Sequence, residues 1–192
     1  MAEIKKVGVL GCGLMGSGIA QVAAAAGYTT VVRDVSDAVM AKGKAGIAKS
    51  LDKFVEKGKL AAADRDATLG RLSYVTEVTA LKDCDIVIEA VTEDLELKND
   101  LWKQLDALCP AHTLFASNTS SLTIAAMASA TARADRFVGL HFFNPVPLMQ
   151  LVEVVRTVTT STATFDRALA FGKSLGKEAV AAKDNSGFIV NL

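Results

Sequence analysis

The chain has little that could staple it, load it with metal or anchor it. Its 192 residues include only three cysteines, Cys12, Cys84 and Cys109, with no C-x-x-C pair and no metal-ligand spacing. An odd, scattered set of this kind excludes a secreted disulfide framework and a structural metal site, and it fits a reducing compartment. No apolar run approaches the ~18 residues of a membrane span. The N-terminal KKVGVLGCGLMGSG is too rich in glycine to be the apolar core of a signal peptide. An excess of either charge is also missing: 21 basic and 21 acidic residues cancel. Neither nucleic acid nor membrane is therefore expected as a partner, and a cytoplasmic location is expected, with an organelle form stripped of its transit peptide as the alternative. Prolines number three, and two of them, Pro145 and Pro147, fall in one short stretch.

What is present is ordinary for a folded domain: 51% hydrophobic and 22% charged residues, enough for one well-buried core. Short β-branched runs alternate with longer segments of helical period, the pattern of βαβ units feeding a doubly wound, mostly parallel α/β sheet. Strands are expected at 6–10, 29–33, 73–75, 85–90, 113–116, 137–142, 150–155 and 178–182. Helices are expected at 14–26, from a Ser36 cap to about Lys57, at 64–69, at 95–108 and at 162–175, the last capped by Ser161 and closed by Gly176. Residues 1–185 form one expected domain. The stretch KDNSGF at 183–188 is the one boundary signal, so 186–192 are expected to open a connection.

The strongest local signal is KKVGVLGCGLMGSGIAQVAAAAGYTTVVRD. Gly11, Gly13 and Gly16 directly follow a strand and directly precede a helix, and Asp34 closes the second strand twenty-one residues after Gly13. Glycines suit a tight turn whose backbone must approach a pyrophosphate, and the N–H groups and positive end of the helix hold the phosphates. Asp34 would meet the ribose hydroxyls and repel a 2′-phosphate, which favours NAD over NADP. Cys12 sits in the turn, either as a thiol activated by the helix end or as a small side chain that simply fits.

Three further clusters carry candidate chemistry. EAVTEDLELKNDLW puts Glu93 after a strand end and Lys98 in the next helix, as ligand groups or as a capping carboxylate and a solvated lysine. FASNTSSL places Asn118 and Ser120 at another strand end, with Ser121 reading as a helix N-cap. In VGLHFFNPVPLMQLVEVV, His141 lies in an apolar strand, and Glu153 lies twelve residues on, beyond a turn enforced by Asn144, Pro145 and Pro147. A carboxylate there would hold one imidazole nitrogen, fix the tautomer and leave the other nitrogen to take a proton. A core histidine with a satisfied hydrogen bond is the other reading.

In this order, GCGLMGSGIAQVAA, ASNTSSL, GLHFFNPVPLMQLVEVV and DNSGFIVN closely resemble the L-3-hydroxyacyl-CoA dehydrogenases, including the bacterial (S)-3-hydroxybutyryl-CoA enzymes. The likeness runs from about Ile4 to Asn191. It implies a Rossmann-like NAD-binding domain and NAD-dependent, reversible oxidation of a (S)-3-hydroxyacyl-CoA to the 3-ketoacyl-CoA. It matches His141 to the catalytic base and Glu153 to its partner, with Ser120 and Asn191 holding the substrate oxygen. For NAD it implies Gly11, Cys12, Gly13, Leu14, Met15, Gly16, Asp34, Glu93, Lys98, Ser120 and Asn144; for coenzyme A it implies Ser50 and Lys57. Ser50 and Lys57 are seven apart on the second helix, nearly on one face. From Lys42 to Lys59 six lysines oppose Asp52 and Glu56, a local charge of +4 suited to a phosphate-rich ligand.

The resemblance also implies continuation into an all-helical domain that dimerises and closes the site. With Leu192 last, and standing where the family has arginine, an isolated cofactor domain with impaired turnover is expected. Two other readings stay open at this point: a Rossmann dehydrogenase of another β-hydroxy acid, and a non-catalytic NAD-binding module.

Overall fold

The computed structural model describes residues 3–185 and 187–189. Eight strands form one sheet: β1 (Lys6–Leu10), β2 (Thr29–Arg33), β3 (Leu72–Val75), β4 (Ile86–Glu89), β5 (Leu114–Ser117), β6 (Phe137–Phe142), β7 (Leu151–Arg156) and β8 (Glu178–Lys183). Their order is β3-β2-β1-β4-β5-β6-β7-β8, parallel from β3 through β6. The chain winds outward from β1 to β3 and then, from β4, in the opposite direction. The crevice between β1 and β4 is thus the reversal point at which open α/β sheets bind ligands. At the far side β7 runs antiparallel to β6, and β8 runs parallel to β7.

Among the described residues six α-helices cover the sheet: α1 (Leu14–Ala25), α2 (Asp37–Glu56), α3 (Ala62–Gly70), α4 (Leu95–Leu108), α5 (Ile124–Ala128) and α6 (Thr162–Ser174). Every residue of β4, β5 and β6 is buried, as expected of strands covered on both faces. One core layer joins Ile19, Met40, Ile47 and Phe171 from α1, α2 and α6 to the sheet. The other centres on Trp102, which meets Phe137 at 4.7 Å and Phe115 at 5.0 Å between ring centroids.

Observed boundaries agree with the sequence periodicity to within a residue or two at most ends. Ser36 and Ser161 cap α2 and α6 as expected, accepting from Val39 N–H and Thr164 N–H, and Gly176 (φ 72°) follows α6. Ser121 is a correction. Helix α5 begins at Ile124, and its first N–H groups are taken by the Asp184 carboxylate, 2.8 Å from both Ile124 N and Ala125 N. A carboxylate reaching in from sixty residues away displaces the local serine because it can accept both bonds at once.

Trp102 is fully buried in its aromatic cluster. Trp102→Ala is expected to cost ~3–5 kcal/mol of stability, read as a lowered urea midpoint; a loss under ~1 kcal/mol would show that the cluster collapses around the gap.

Candidate active site

The glycine turn is built by close approach. Gly11 follows β1 with φ 94°, its N–H donates to the Arg33 carbonyl at 2.8 Å, and a Cβ there would stand 2.6 Å from the Ala90 carbonyl oxygen. A Cβ on Gly16 would stand 1.9 Å from the Gly11 carbonyl oxygen. Around Gly13, by contrast, the space is open, and it precedes α1 without any side-chain cap. The helix thus presents its first N–H groups uncapped by any side chain above a backbone cradle, which fits a phosphate-bearing dinucleotide. Leu14 is exposed at its edge, and Met15 is half-buried. Asp34, at the end of β2, accepts from Cys12 N–H at 2.8 Å through Oδ2 and from Ser36 N–H at 3.1 Å through Oδ1. It is bound to the turn itself as well as standing beside it. Cys12 is buried, and burial first, then the nearby Asp34 charge, pushes its thiol up to about 11. That direction is opposite to activation by the helix end, and it favours the small-side-chain account.

Next to the turn, two loops meet at the carboxyl ends of β4 and β5. Glu93 does not cap α4; Asp94 does, accepting from Glu96 and Leu97 N–H. The Glu93 carboxylate accepts the Thr119 hydroxyl at 2.7 Å and Ser120 N–H at 3.3 Å, which brings Glu93 and Ser120 together. Lys98 is not a solvated lysine. Its side chain is 1% exposed, its ammonium lies 2.6 Å from Glu89 Oε1, and Glu93 is farther off at 3.9 Å. Sequence reasoning passed over Glu89, although an acid ending the apolar run Ile86-Val87-Ile88 was a visible signal of a paired buried charge.

The reversal of direction at β7 places His141 directly across from Glu153 in the β6–β7 register. His141 Nδ1 and Glu153 Oε2 are 2.6 Å apart, with both side chains buried. A carboxylate only accepts, so Nδ1 carries the proton of this hydrogen bond and Nε2 lies outside it. Glu153 Oε1 also accepts Ile189 N–H at 2.9 Å. The imidazole is walled by Phe143 and by the edge of Phe188, at centroid distances of 4.6 and 5.4 Å. Asn118 Oδ1 takes Phe142 N–H at 2.9 Å and fastens β5 to β6 beside the pair. Asn144 is exposed in the following turn, before a cis Pro145. The ammonium of Lys177, its pKa lowered by burial, holds that turn by donating to the Val146 and Met149 carbonyls at 2.6 Å each. Asn191 lies outside the described residues.

Ser50 and Lys57 also come together, on one wall of a groove of about 390 Å³. Phe54, Pro145, Pro147 and Leu148 line it too, and Lys49, Lys53 and Lys59 join Lys57 there with no acid among the lining residues. Asp52 is drawn away by Arg65 at 2.9 Å, and Lys44 faces the Tyr74 ring instead. A strip of cations beside an apolar wall can hold a molecule with both phosphates and an apolar arm.

Comparison with known proteins puts these features in a family. The family described as 3-hydroxyacyl-CoA dehydrogenase, NAD binding domain, matches residues 6–185. The mitochondrial hydroxyacyl-coenzyme A dehydrogenase of Rattus norvegicus is 52% identical, over 98% of this chain and 62% of its own length. A probable 3-hydroxybutyryl-CoA dehydrogenase of Deinococcus radiodurans is 46% identical, over 97% of this chain and 66% of its own. The solved structure of (S)-3-hydroxybutyryl-CoA dehydrogenase from Ralstonia eutropha superposes with a TM-score of 0.95 at 46% identity, over 98% of this chain and 66% of that one. The chain thus spans a little under two thirds of the length of these relatives. It belongs to the 3-hydroxyacyl-CoA dehydrogenase family and carries that family's NAD binding domain.

Proposed function

We propose that the chain binds NAD across the β1–β4 crevice and supplies the base for reversible oxidation of a (S)-3-hydroxyacyl-CoA, 3-hydroxybutyryl-CoA first among them, to the 3-ketoacyl-CoA. The observation that carries this reading is the 2.6 Å contact of His141 Nδ1 with Glu153. It lies at the carboxyl end of β6, the end of the sheet that also bears the glycine turn, Glu93 and Ser120. NAD would be held by the backbone of Gly11, Cys12, Gly13, Leu14, Met15 and Gly16, with Asp34 on the ribose and Glu93, Lys98, Ser120 and Asn144 toward the reacting end. When bound, it accepts the hydride leaving the hydroxyl-bearing carbon.

The protein's part is the proton. Nε2 of His141 takes it from the substrate hydroxyl as the carbon–oxygen double bond forms, and Glu153 stabilises the imidazolium so produced. In the reverse direction the same nitrogen returns the proton. Ser120 and Asn191 would hold the substrate oxygen in line. The basic groove beside Ser50 and Lys57 supports coenzyme A as the carrier, because a small free β-hydroxy acid has no use for it.

In the same reading residues 1–185 are the nucleotide unit, and 186–192 open the connection to a helical domain through which the whole protein pairs as a homodimer, in the cytoplasm. The test is NADH consumption with acetoacetyl-CoA, by this chain and by one extended past Asn191. We expect turnover by this chain at least ~10²-fold below the extended one, since it spans under two thirds of the relatives it matches and a displacement of about an ångström among reacting groups costs that much. No turnover by either would remove the dehydrogenase reading.

In the extended protein, His141→Ala is expected to lower kcat by ~10² to 10⁴ with little change in NADH affinity, the span for losing a positioned acid or base. A kcat near that of the parent would return His141 to the core. Lys57→Ala should raise KM for the acyl-CoA far more than for NADH, and the difference should shrink as salt rises, because an exposed phosphate contact is screened. A salt-independent KM would remove Lys57 from the coenzyme A site.

A further inference from the structure

We propose that Glu89, buried beneath the nucleotide crevice, is a positioning residue that locks the β4–α4 loop to the β5–α5 loop and so holds Glu93 and Ser120 beside the glycine turn. The inference rests on the nucleotide-binding reading above. Glu89 ends β4, in register with Leu10 on one side and Ser117 on the other. The three residues before it are isoleucine, valine and isoleucine, and its own side chain is 0% exposed.

Its carboxylate gathers donors from three elements. Oε1 accepts the Lys98 ammonium from α4 at 2.6 Å and Val91 N–H from the β4–α4 loop at 2.8 Å. Oε2 accepts the Ser117 hydroxyl from β5 at 2.7 Å. The chain of bonds then continues: Ser117 Oγ accepts Thr119 N–H at 3.2 Å, and the Thr119 hydroxyl donates to Glu93 Oε2 at 2.7 Å. Because Val91 and Glu93 belong to one loop, the circuit closes on itself through Glu93, whose Oε1 also accepts Ser120 N–H at 3.3 Å. Fold stability does not account for a charge here. Desolvating two ions offsets most of their attraction, and an apolar pair of similar shape commonly holds a core as well or better. What an apolar pair cannot do is fix the separation of two loops by directed bonds.

Two charge-balanced double variants separate these roles. Glu89→Gln with Lys98→Met leaves a carboxamide that can still accept from Val91 N–H and donate to Ser117 Oγ. Glu89→Leu with Lys98→Met leaves neither bond. Both lack Lys98, so their difference reports on residue 89 alone. We expect similar melting temperatures, with NADH affinity by fluorescence titration about 10-fold weaker in the leucine variant than in the glutamine variant. Ser117→Ala, which leaves the ion pair intact, should weaken NADH binding with little change in melting temperature, and it decides the matter alone should the leucine variant fail to fold. Equal affinities of the two double variants, or an unchanged affinity in Ser117→Ala, would overturn the role of Glu89. A parent chain that binds no NADH would overturn the nucleotide reading and this inference together.

Discussion

At the centre of the crevice a carbonyl oxygen, that of Gly11, lies where the side chain of residue 16 would otherwise begin. The first turn of α1 therefore sits against the end of β1 with no atom to spare, and everything at that end of the sheet takes its place from this contact. Gly11 itself is pressed on the Ala90 carbonyl of the neighbouring strand end, so β1, β4 and α1 meet at one point. Asp34 completes the arrangement by accepting the Cys12 N–H, which ties the end of β2 to the same turn.

The second organising element is the change of strand direction at β7. In a sheet that stayed parallel, Glu153 would have to arrive from a distant crossover. The hairpin-like return through Pro145 and Pro147 instead brings it opposite His141 as a cross-strand neighbour, a pairing fixed by the strand register. Two buried ionisable pairs thus stand at one end of the sheet with different surroundings. His141–Glu153 is lined by Phe143 and Phe188 and keeps one ring nitrogen outside the pair, whereas Glu89–Lys98 is enclosed by hydrogen bonds from three elements.

Much of this was legible in the sequence because it is local. The glycine turn, the Ser36 and Ser161 caps, the strand–helix alternation and the spacing from His141 to Glu153 depend on residues near one another along the chain. What escaped depends on how separate elements stack on one another, which no cap, turn or hairpin marks along the chain. Lys98 reads as a surface lysine until Glu89, nine residues earlier on a strand, is seen beneath it. Ser121 reads as a cap until Asp184 arrives from the far end of the chain. The six-lysine stretch reads as one patch, yet the fold divides it, turning Lys44 to Tyr74 and leaving four lysines around the groove.

The short stretch after β8 touches the site in two places. Asp184 holds the start of α5, and Ile189 N–H holds the carboxylate that holds His141. Between them Phe188 adopts φ 56°, a conformation costly for a residue with a side chain, while its ring rests against the imidazole. The segment is mechanically in series with the His141 imidazole. A shift of about an ångström in the backbone at residue 189 would lengthen its bond to Glu153 beyond hydrogen-bonding range, so a pull on this strap reaches the imidazole without crossing the core of the domain.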